Sequence, residues 1–366
     1  MDFRFSEEEE AIRGLAREIF EKENSPERRK AVESQGSGID ADLWKQLAEA
    51  NLLGLAIAEG NGGMGMGFFE VCLLLSEMGR VVAPVPLLPA LVGAALPIAE
   101  FGSDAAKERW LAPLARGEGL LSAAPGDAPA LAAKANGAGI LLSGAVANLP
   151  LAAGTRAVAT LARDGEREWL ALVDPAAPGA VVVSSKTSLQ QPVAAIAFDA
   201  VEVSGDSLVG PGNVGDWLAP RLRVALAAVQ LGVSERALEI TVAYLKEREQ
   251  FGAPLAVLPA VQHRCADAYI TLDAMRWMTW MAASRIAAGK DARREALAAK
   301  YWAAEGGRSI ASATQHLHAG AGVDMDYPIH RYFLWSKALE LEGGSGTQQL
   351  IELGRDLART GAEEFE

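Results

Sequence analysis

The hydrophobic pattern of this chain changes period twice, from helical to strand-like near residue 120 and back to helical near residue 216. A period of about 3.6 places apolar side chains on one helix face, whereas short β-branched runs between turn residues make strands. The order predicts an N-terminal helical domain over residues 1–120, a middle β domain over 121–213 and a C-terminal helical bundle over 214–366. Half of the residues are hydrophobic, which suffices for substantial cores.

In the first region Ser6 precedes the acidic run 7–10, which suits the positive end of a helix dipole, and Ile12, Leu15, Ala16, Ile19 and Phe20 then share a face. A second helix is expected over 41–50. The glycine-rich stretch 59–67 has no strand before it and no Gly-Lys-Ser/Thr after it, so a structural turn is expected rather than a phosphate loop. Another helix runs to about Gly79, followed by a proline-rich connection and further helices to about Gly117. The runs 139–143, 157–161, 169–173, 180–184 and 194–203 read as strands of a small antiparallel sheet or barrel. Helices over 224–246, 261–288, 292–316 and 347–358 predict a four-helix bundle. The first of these is apolar almost all round, as a buried helix is. Trp277, Met278 and Trp280 form a stripe suited to a core or a subunit interface.

The formal net charge of -13 argues against nucleic acid, whose phosphates need clustered Lys and Arg. Cys72 and Cys265 lack the spacing of a metal site or a disulfide framework. His316, His318 and His330 lie close in sequence, but no Cys or carboxylate completes a ligand set at familiar spacing, so no metal is expected. No secretory leader is visible, and the apolar stretch 81–99 is interrupted by prolines. A soluble cytoplasmic protein without membrane insertion is expected.

Several motifs occur in a shared order. The chain opens Met1-Asp-Phe-Arg-Phe-Ser-Glu-Glu-Glu-Glu, and Leu52-Leu53-Gly54-Leu55, Gly62-Gly63-Met64-Gly65 and Ser76-Glu77-Met78-Gly79-Arg80 follow. The most specific is Arg248-Glu249-Gln250-Phe251-Gly252, followed by Val261-Gln262-His263. A second block, Gln315-His316-Leu317-His318-Ala319-Gly320-Ala321-Gly322, precedes Tyr327-Pro328. With the helical, β, helical order, these motifs make the chain resemble the acyl-CoA dehydrogenase family over nearly its whole length.

The resemblance implies a mostly α fold with a central β unit, and FAD as cofactor. It implies that Arg248, Gln250 and Phe251 reach the FAD of a neighbouring subunit. An arginine offers a fork of donors suited to the pyrophosphate. Gln315, His316 and Gly320 would support the same cofactor, and Ser345 and Thr347 would lie near its pyrophosphate. In the family a buried carboxylate removes a proton from the α carbon of an acyl-CoA and hydride passes to the flavin. An ungapped reading from Tyr327-Pro328 places Gly343 where many members keep that glutamate. Glu342 is adjacent and is the candidate for a displaced base. Other members carry the base on the helix before the Arg-x-Gln-Phe-Gly turn, where this chain has Arg221-Leu222-Arg223, with Asp216 the nearest carboxylate upstream. The stretch 122–129 also lacks the family's Thr-Glu-Pro and Gly-Ser-Asp groups. The combination resembles the base-lacking partner subunits of heteromeric acyl-CoA dehydrogenases of bacterial steroid catabolism. It implies an acyl-CoA substrate, a homo- or hetero-tetramer with a related chain and an electron-transfer acceptor protein. The alternatives are a self-sufficient dehydrogenase using Glu342 and a structural subunit that has lost FAD.

Overall fold

The computed structural model describes residues 5–35, 38–124, 130–151 and 153–361. Contacts divide the chain into two compact units, Met1–Leu74 with Ala83–Leu222, and Leu75–Val82 with Arg223–Glu366.

The first unit opens on helix α1 (Glu7–Glu23). The Ser6 hydroxyl accepts from the Glu9 amide while the Glu9 carboxylate accepts from the Ser6 amide at 2.6 Å. This reciprocal pair satisfies two of the amides that a helix start leaves open. Ile12, Ala16 and Phe20 are buried, while Leu15, expected on the same face, is exposed. Helices α2 (Pro26–Gln35) and α3 (Ala41–Glu49) follow, the latter capped by Asp40 and burying Leu43, Trp44, Leu47 and Ala48. In the glycine-rich stretch the amides of Met64, Gly65 and Met66 donate to the carbonyls of Gly54, Ile57 and Leu55. Those amides are committed to the fold, and a Cβ on Gly63 would stand 2.1 Å from the Ile57 carbonyl oxygen. The stretch is a structural turn.

Helix α4 (Phe68–Val81) comes next. The expected proline-rich connection contains more structure than its composition suggests: a π-helical segment, Leu88–Ala95, runs into helix α5 (Leu96–Phe101). Pro89 falls in the first turn of the π-helical segment, where a missing amide costs no hydrogen bond, whereas Pro97 follows that segment within continuous helical backbone. Helix α6 (Asp104–Ala115) completes the helical part.

Eight strands follow: β1 (Leu120–Ala123), β2 (Leu131–Asn136), β3 (Gly139–Pro150), β4 (Thr155–Asp164), β5 (Arg167–Val173), β6 (Ala180–Lys186), β7 (Pro192–Val203) and β8 (Leu208–Val209). Their order is β6-β7-β3-β2-β4-β5-β8, with β1 beside β4. The sheet is mixed rather than antiparallel throughout, because β1–β4 and β2–β4 pair in parallel. Side-chain alternation reports which face is buried and carries no strand direction. Leu142, Leu149, Val158, Ile196 and Phe198 centre the core of the sheet.

The second unit contains α7 (Val214–Glu247) from Arg223 onward, α8 (Pro259–Ala287), α9 (Arg293–His318), α10 (Ile329–Leu341) and α11 (Gly346–Thr360). Helix α10 adds a fifth helix to the four expected. It buries His330, Arg331 and Ser336 as well as Ile329, Tyr332 and Leu339, so no clean apolar stripe marks it in the sequence. The end of α4 belongs to this unit because two glycines let its backbone touch that of α7. A Cβ on Gly79 would lie 2.2 Å from the Val229 carbonyl oxygen, and one on Gly232 would lie 1.9 Å from that of Ser76. Beside this crossing Arg80 donates to Glu235 at 3.2 Å and to Glu239 at 2.9 Å, and Arg276 donates to the same Glu235 at 2.9 Å. Of the expected stripe, Trp280 packs on a core of Leu231, Leu238, Leu272 and Met275, and Trp277 is exposed. Among the described residues no helix is long and apolar enough to cross a membrane.

Candidate cofactor site

The Arg-Glu-Gln-Phe-Gly motif forms the tip of a two-strand ribbon. The Arg248 amide donates to the Tyr244 carbonyl at 2.8 Å and so extends the last turn of α7. Strand β9 (Glu249–Gln250) then pairs antiparallel with β10 (Ala253–Pro254), Gln250 lying opposite Ala253. The two loop residues, Phe251 and Gly252, have φ of 56° and 80°. Two positive φ values in a two-residue loop give the twist that a hairpin needs. A bulky side chain seldom takes that conformation, and here it sends the ring outward: Phe251 is 91% exposed. Arg248 is exposed too and has no ion pair among the described residues. Gln250 Nε2 donates to the Glu249 carbonyl at 2.7 Å. The ribbon therefore presents a free guanidinium and an uncovered phenyl ring on one hairpin.

At the end of α9, Gln315 donates through Nε2 to the Gly322 carbonyl at 2.6 Å, while its Oε1 is buried without a hydrogen-bond partner. His316 is exposed. Around Gly320 a Cβ would meet nothing within 4 Å. His318, to which the motif assigns no role, is buried. Its Nδ1 lies 2.8 Å from the Thr314 carbonyl, its ring stacks 4.5 Å from that of Tyr244, and Tyr327 closes the other side at 5.1 Å. Burial pushes its pKa below the usual histidine value, which favours the neutral ring. Ala319, which stands in place of the first family glycine, has φ 50° and ψ -128°. The backbone keeps a shape that glycine adopts freely although the side chain has changed.

The third segment lies between α10 and α11. Glu342 caps the end of α10 and is exposed in this chain. Gly343 and Gly344 follow with φ of 68° and 94°. A Cβ at 343 would come within 2.7 Å of Leu226 Cδ1. The position aligned with the family base thus has no side chain, and one placed there would be strained by the positive φ and would displace the end of the Leu226 side chain. Ser345 caps α11, its hydroxyl accepting from the Gln348 amide while the Gln348 side chain accepts from the Ser345 amide at 2.7 Å. Thr347 is exposed in the first turn.

The alternative base position carries no carboxylate side chain. Arg221 stacks 3.5 Å above the Trp217 ring and donates to the Trp217 carbonyl at 2.8 Å. Burial lowers its pKa to about 10. Arg223 donates to Gln349 at 3.0 Å and to Glu352 at 2.5 Å. Leu222, between them, lines a void of about 30 Å³ with Gly93, Ala123, Ala159, Leu218 and Ala219. Asp216 lines a separate cavity of about 520 Å³ in the first unit, beside Glu166, Glu168 and Arg163. The Ser122 hydroxyl donates to the Pro150 carbonyl, which occupies the first polar group of the stretch 122–129. Residues 125–129 lie outside the described residues.

These groups fit FAD unevenly. The free Arg248 fork, the exposed Phe251 ring, the open backbone at Gly320 and the unpartnered Gln315 oxygen are consistent with holding a nucleotide, whereas neither position that the family uses for its base carries a carboxylate.

Residues 6–118 match the acyl-CoA dehydrogenase N-terminal domain and residues 218–358 match its C-terminal domain. The chain is 33% identical to acyl-CoA dehydrogenase FadE27 of Mycobacterium tuberculosis over 99% of this chain and all of that protein. Its structure is similar to the ChsE4-ChsE5 complex of M. tuberculosis, with a TM-score of 0.94 and 32% identity over 99% of this chain and 100% of that chain. It is also similar to a variant of the Tcur3481-Tcur3483 steroid ACAD, with a TM-score of 0.92 and 42% identity over 98% of this chain and 99% of that one. The chain belongs to the acyl-CoA dehydrogenase family, oxidoreductases that act on CH–CH groups.

Proposed function

We propose that this chain is the base-lacking subunit of a flavin-dependent acyl-CoA dehydrogenase, assembled as a tetramer with a related chain that supplies the catalytic carboxylate. One contrast carries this reading: Arg248 and Phe251 face outward at the tip of a hairpin, while the position aligned with the family base is Gly343, which has no side chain. A guanidinium fork suits a diphosphate bidentately and a phenyl ring suits an apolar or aromatic surface. Both lie where a second chain can reach them. Gln315, His316 and Gly320 would support the same nucleotide, and Ser345 and Thr347 would bring the amide end of α11 near its pyrophosphate. FAD supplies the two-electron oxidising capacity for α,β-desaturation of an acyl-CoA thioester. The residues of this chain bind and orient it. The steroid dehydrogenase among the similar structures supports a steroid-derived acyl-CoA as substrate, with an electron-transfer protein as acceptor.

The test is the flavin absorbance of the purified chain, alone and co-expressed with its partner. Flavin is expected in the co-expressed assembly and is expected to be lost on Arg248→Ala. An assembly that keeps its flavin without this guanidinium would overturn the reading. A self-sufficient enzyme is the second reading, favoured by the position of Glu342 one residue from the aligned base. It requires Glu342→Gln to abolish acyl-CoA turnover by the chain purified alone.

A further inference from the structure

We infer that Lys300 is a positioning residue that, with Gln349, holds the turn 343–347 in its cofactor-facing shape before any cofactor is bound. The inference rests on the reading above that this turn faces FAD. Lys300 lies on α9 and none of its surface is exposed. Burying an ammonium group is costly unless its protons are used. Its Nζ donates to the carbonyls of Leu339 at 3.1 Å and Glu340 at 3.3 Å. These belong to the last turn of α10, where carbonyls have no partner within the helix. From the other side Gln349 Nε2 donates to the carbonyls of Gly343 at 2.9 Å and Gly344 at 3.2 Å. Gln349 is itself held by Arg223. Four carbonyls between residues 339 and 344 therefore receive donors from two buried side chains. Both glycines that make the bend have positive φ, and the bend directs the chain into the Ser345 cap of α11.

Neither of these Lys300 bonds goes to a carboxylate. The Glu340 carboxylate is bonded to Lys337 at 2.5 Å, and Glu342 lies on the exposed side of the turn. Both Lys300 bonds thus go to main chain and set backbone geometry. A methionine of similar length would fill much of the same space without a buried charge, and would leave the Leu339 and Glu340 carbonyls without this donor. What it would remove is the restraint on the turn.

The experiment uses the co-expressed assembly and follows amide hydrogen exchange of residues 344–349, with FAD bound and after FAD is removed. The wild-type turn is expected to stay protected in both states. Protection that exists only with FAD bound would overturn the inference, and this measurement needs no variant. In Lys300→Met the turn is expected to exchange at least tenfold faster without FAD, and the dissociation constant for FAD to rise about tenfold, while the core amides of α9 exchange as in wild type. Gln349→Leu removes the second donor and is expected to act in the same direction. If both variants fold and bind FAD as wild type does, Lys300 does not position the turn. Flavin retention in Arg248→Ala reports separately on the cofactor reading itself.

Discussion

At the scale of single residues, two side chains stand in surroundings that ordinarily exclude them. Ala319 holds φ 50° and ψ -128°, a conformation that costs a residue with a Cβ on the order of 1–3 kcal/mol. Ala319→Gly relieves that strain and adds a smaller entropy loss on folding, so it is expected to stabilise the chain by about 1 kcal/mol in urea unfolding. Lys300 is the second. Burial lowers its pKa from 10.5 to about 8, with Glu342 and Glu340 acting to raise it and Arg223 to lower it. Below about pH 8 the folded and unfolded chains both carry this proton, and its contribution is constant. Between 8 and 10.5 the unfolded chain still holds the proton while the folded chain has lost it. The unfolded state then binds more protons, and unfolding free energy rises with pH. The full shift corresponds to roughly 3 kcal/mol. Wild type measured against Lys300→Met is expected to gain relative stability from pH 8 to 10.5, and parallel pH profiles would contradict this.

At the scale of elements, the crossing of α4 and α7 is set by what is missing. Gly79 and Gly232 let the backbones approach until a Cβ would overlap a carbonyl oxygen. Backbone cannot give way as a flexible side chain can, so Gly232→Ala has to push the two helices apart. That motion also lengthens the bonds from Arg80 to Glu235 and Glu239. A loss of about 3 kcal/mol is expected, at the upper end of overpacking effects, and thermal or urea unfolding of the variant checks it. The hairpin at 249–254 depends on a different local rule. Its two-residue loop requires positive φ at both positions, and Gly252 meets that requirement easily while Phe251 does not. The ring therefore remains on the turn against local preference, which agrees with a role outside this chain.

At the scale of the whole molecule, the C-terminal unit exposes Phe251, Val257, Tyr269, Ile270, Trp277, Val323 and Met325. Scattered exposed apolar residues are ordinary, but an aromatic ring 91% exposed at a hairpin tip contributes little to the chain that carries it. Phe251→Ser is expected to change the stability of the isolated chain by less than about 0.5 kcal/mol. In the assembly the same change is expected to weaken association by about 2 kcal/mol, roughly 30-fold in dissociation constant. Urea unfolding of the isolated chain checks the first and titration with the purified partner chain the second. Equal association of wild type and variant would leave the exposed ring without its proposed purpose.

The succession of helical and strand-like regions, the Ser6 cap, the glycine turn and the absence of a carboxylate at Gly343 were legible in the sequence. Each depends on side-chain type and spacing along the chain, which a linear reading preserves. Helix α10 was not legible, because its burial of Arg331 and His330 hides the apolar period. The parallel pairing of β1 and β2 with β4 was not legible either, since alternation carries no direction. Nor did anything along the chain single out Lys300, one of 34 lysines and arginines. Its role arises from two carbonyls 39 and 40 residues away. Only the packing of α9 against α10 decides that this ammonium is enclosed and what its protons meet, because burial and hydrogen-bond partners are properties of space rather than of order along the chain.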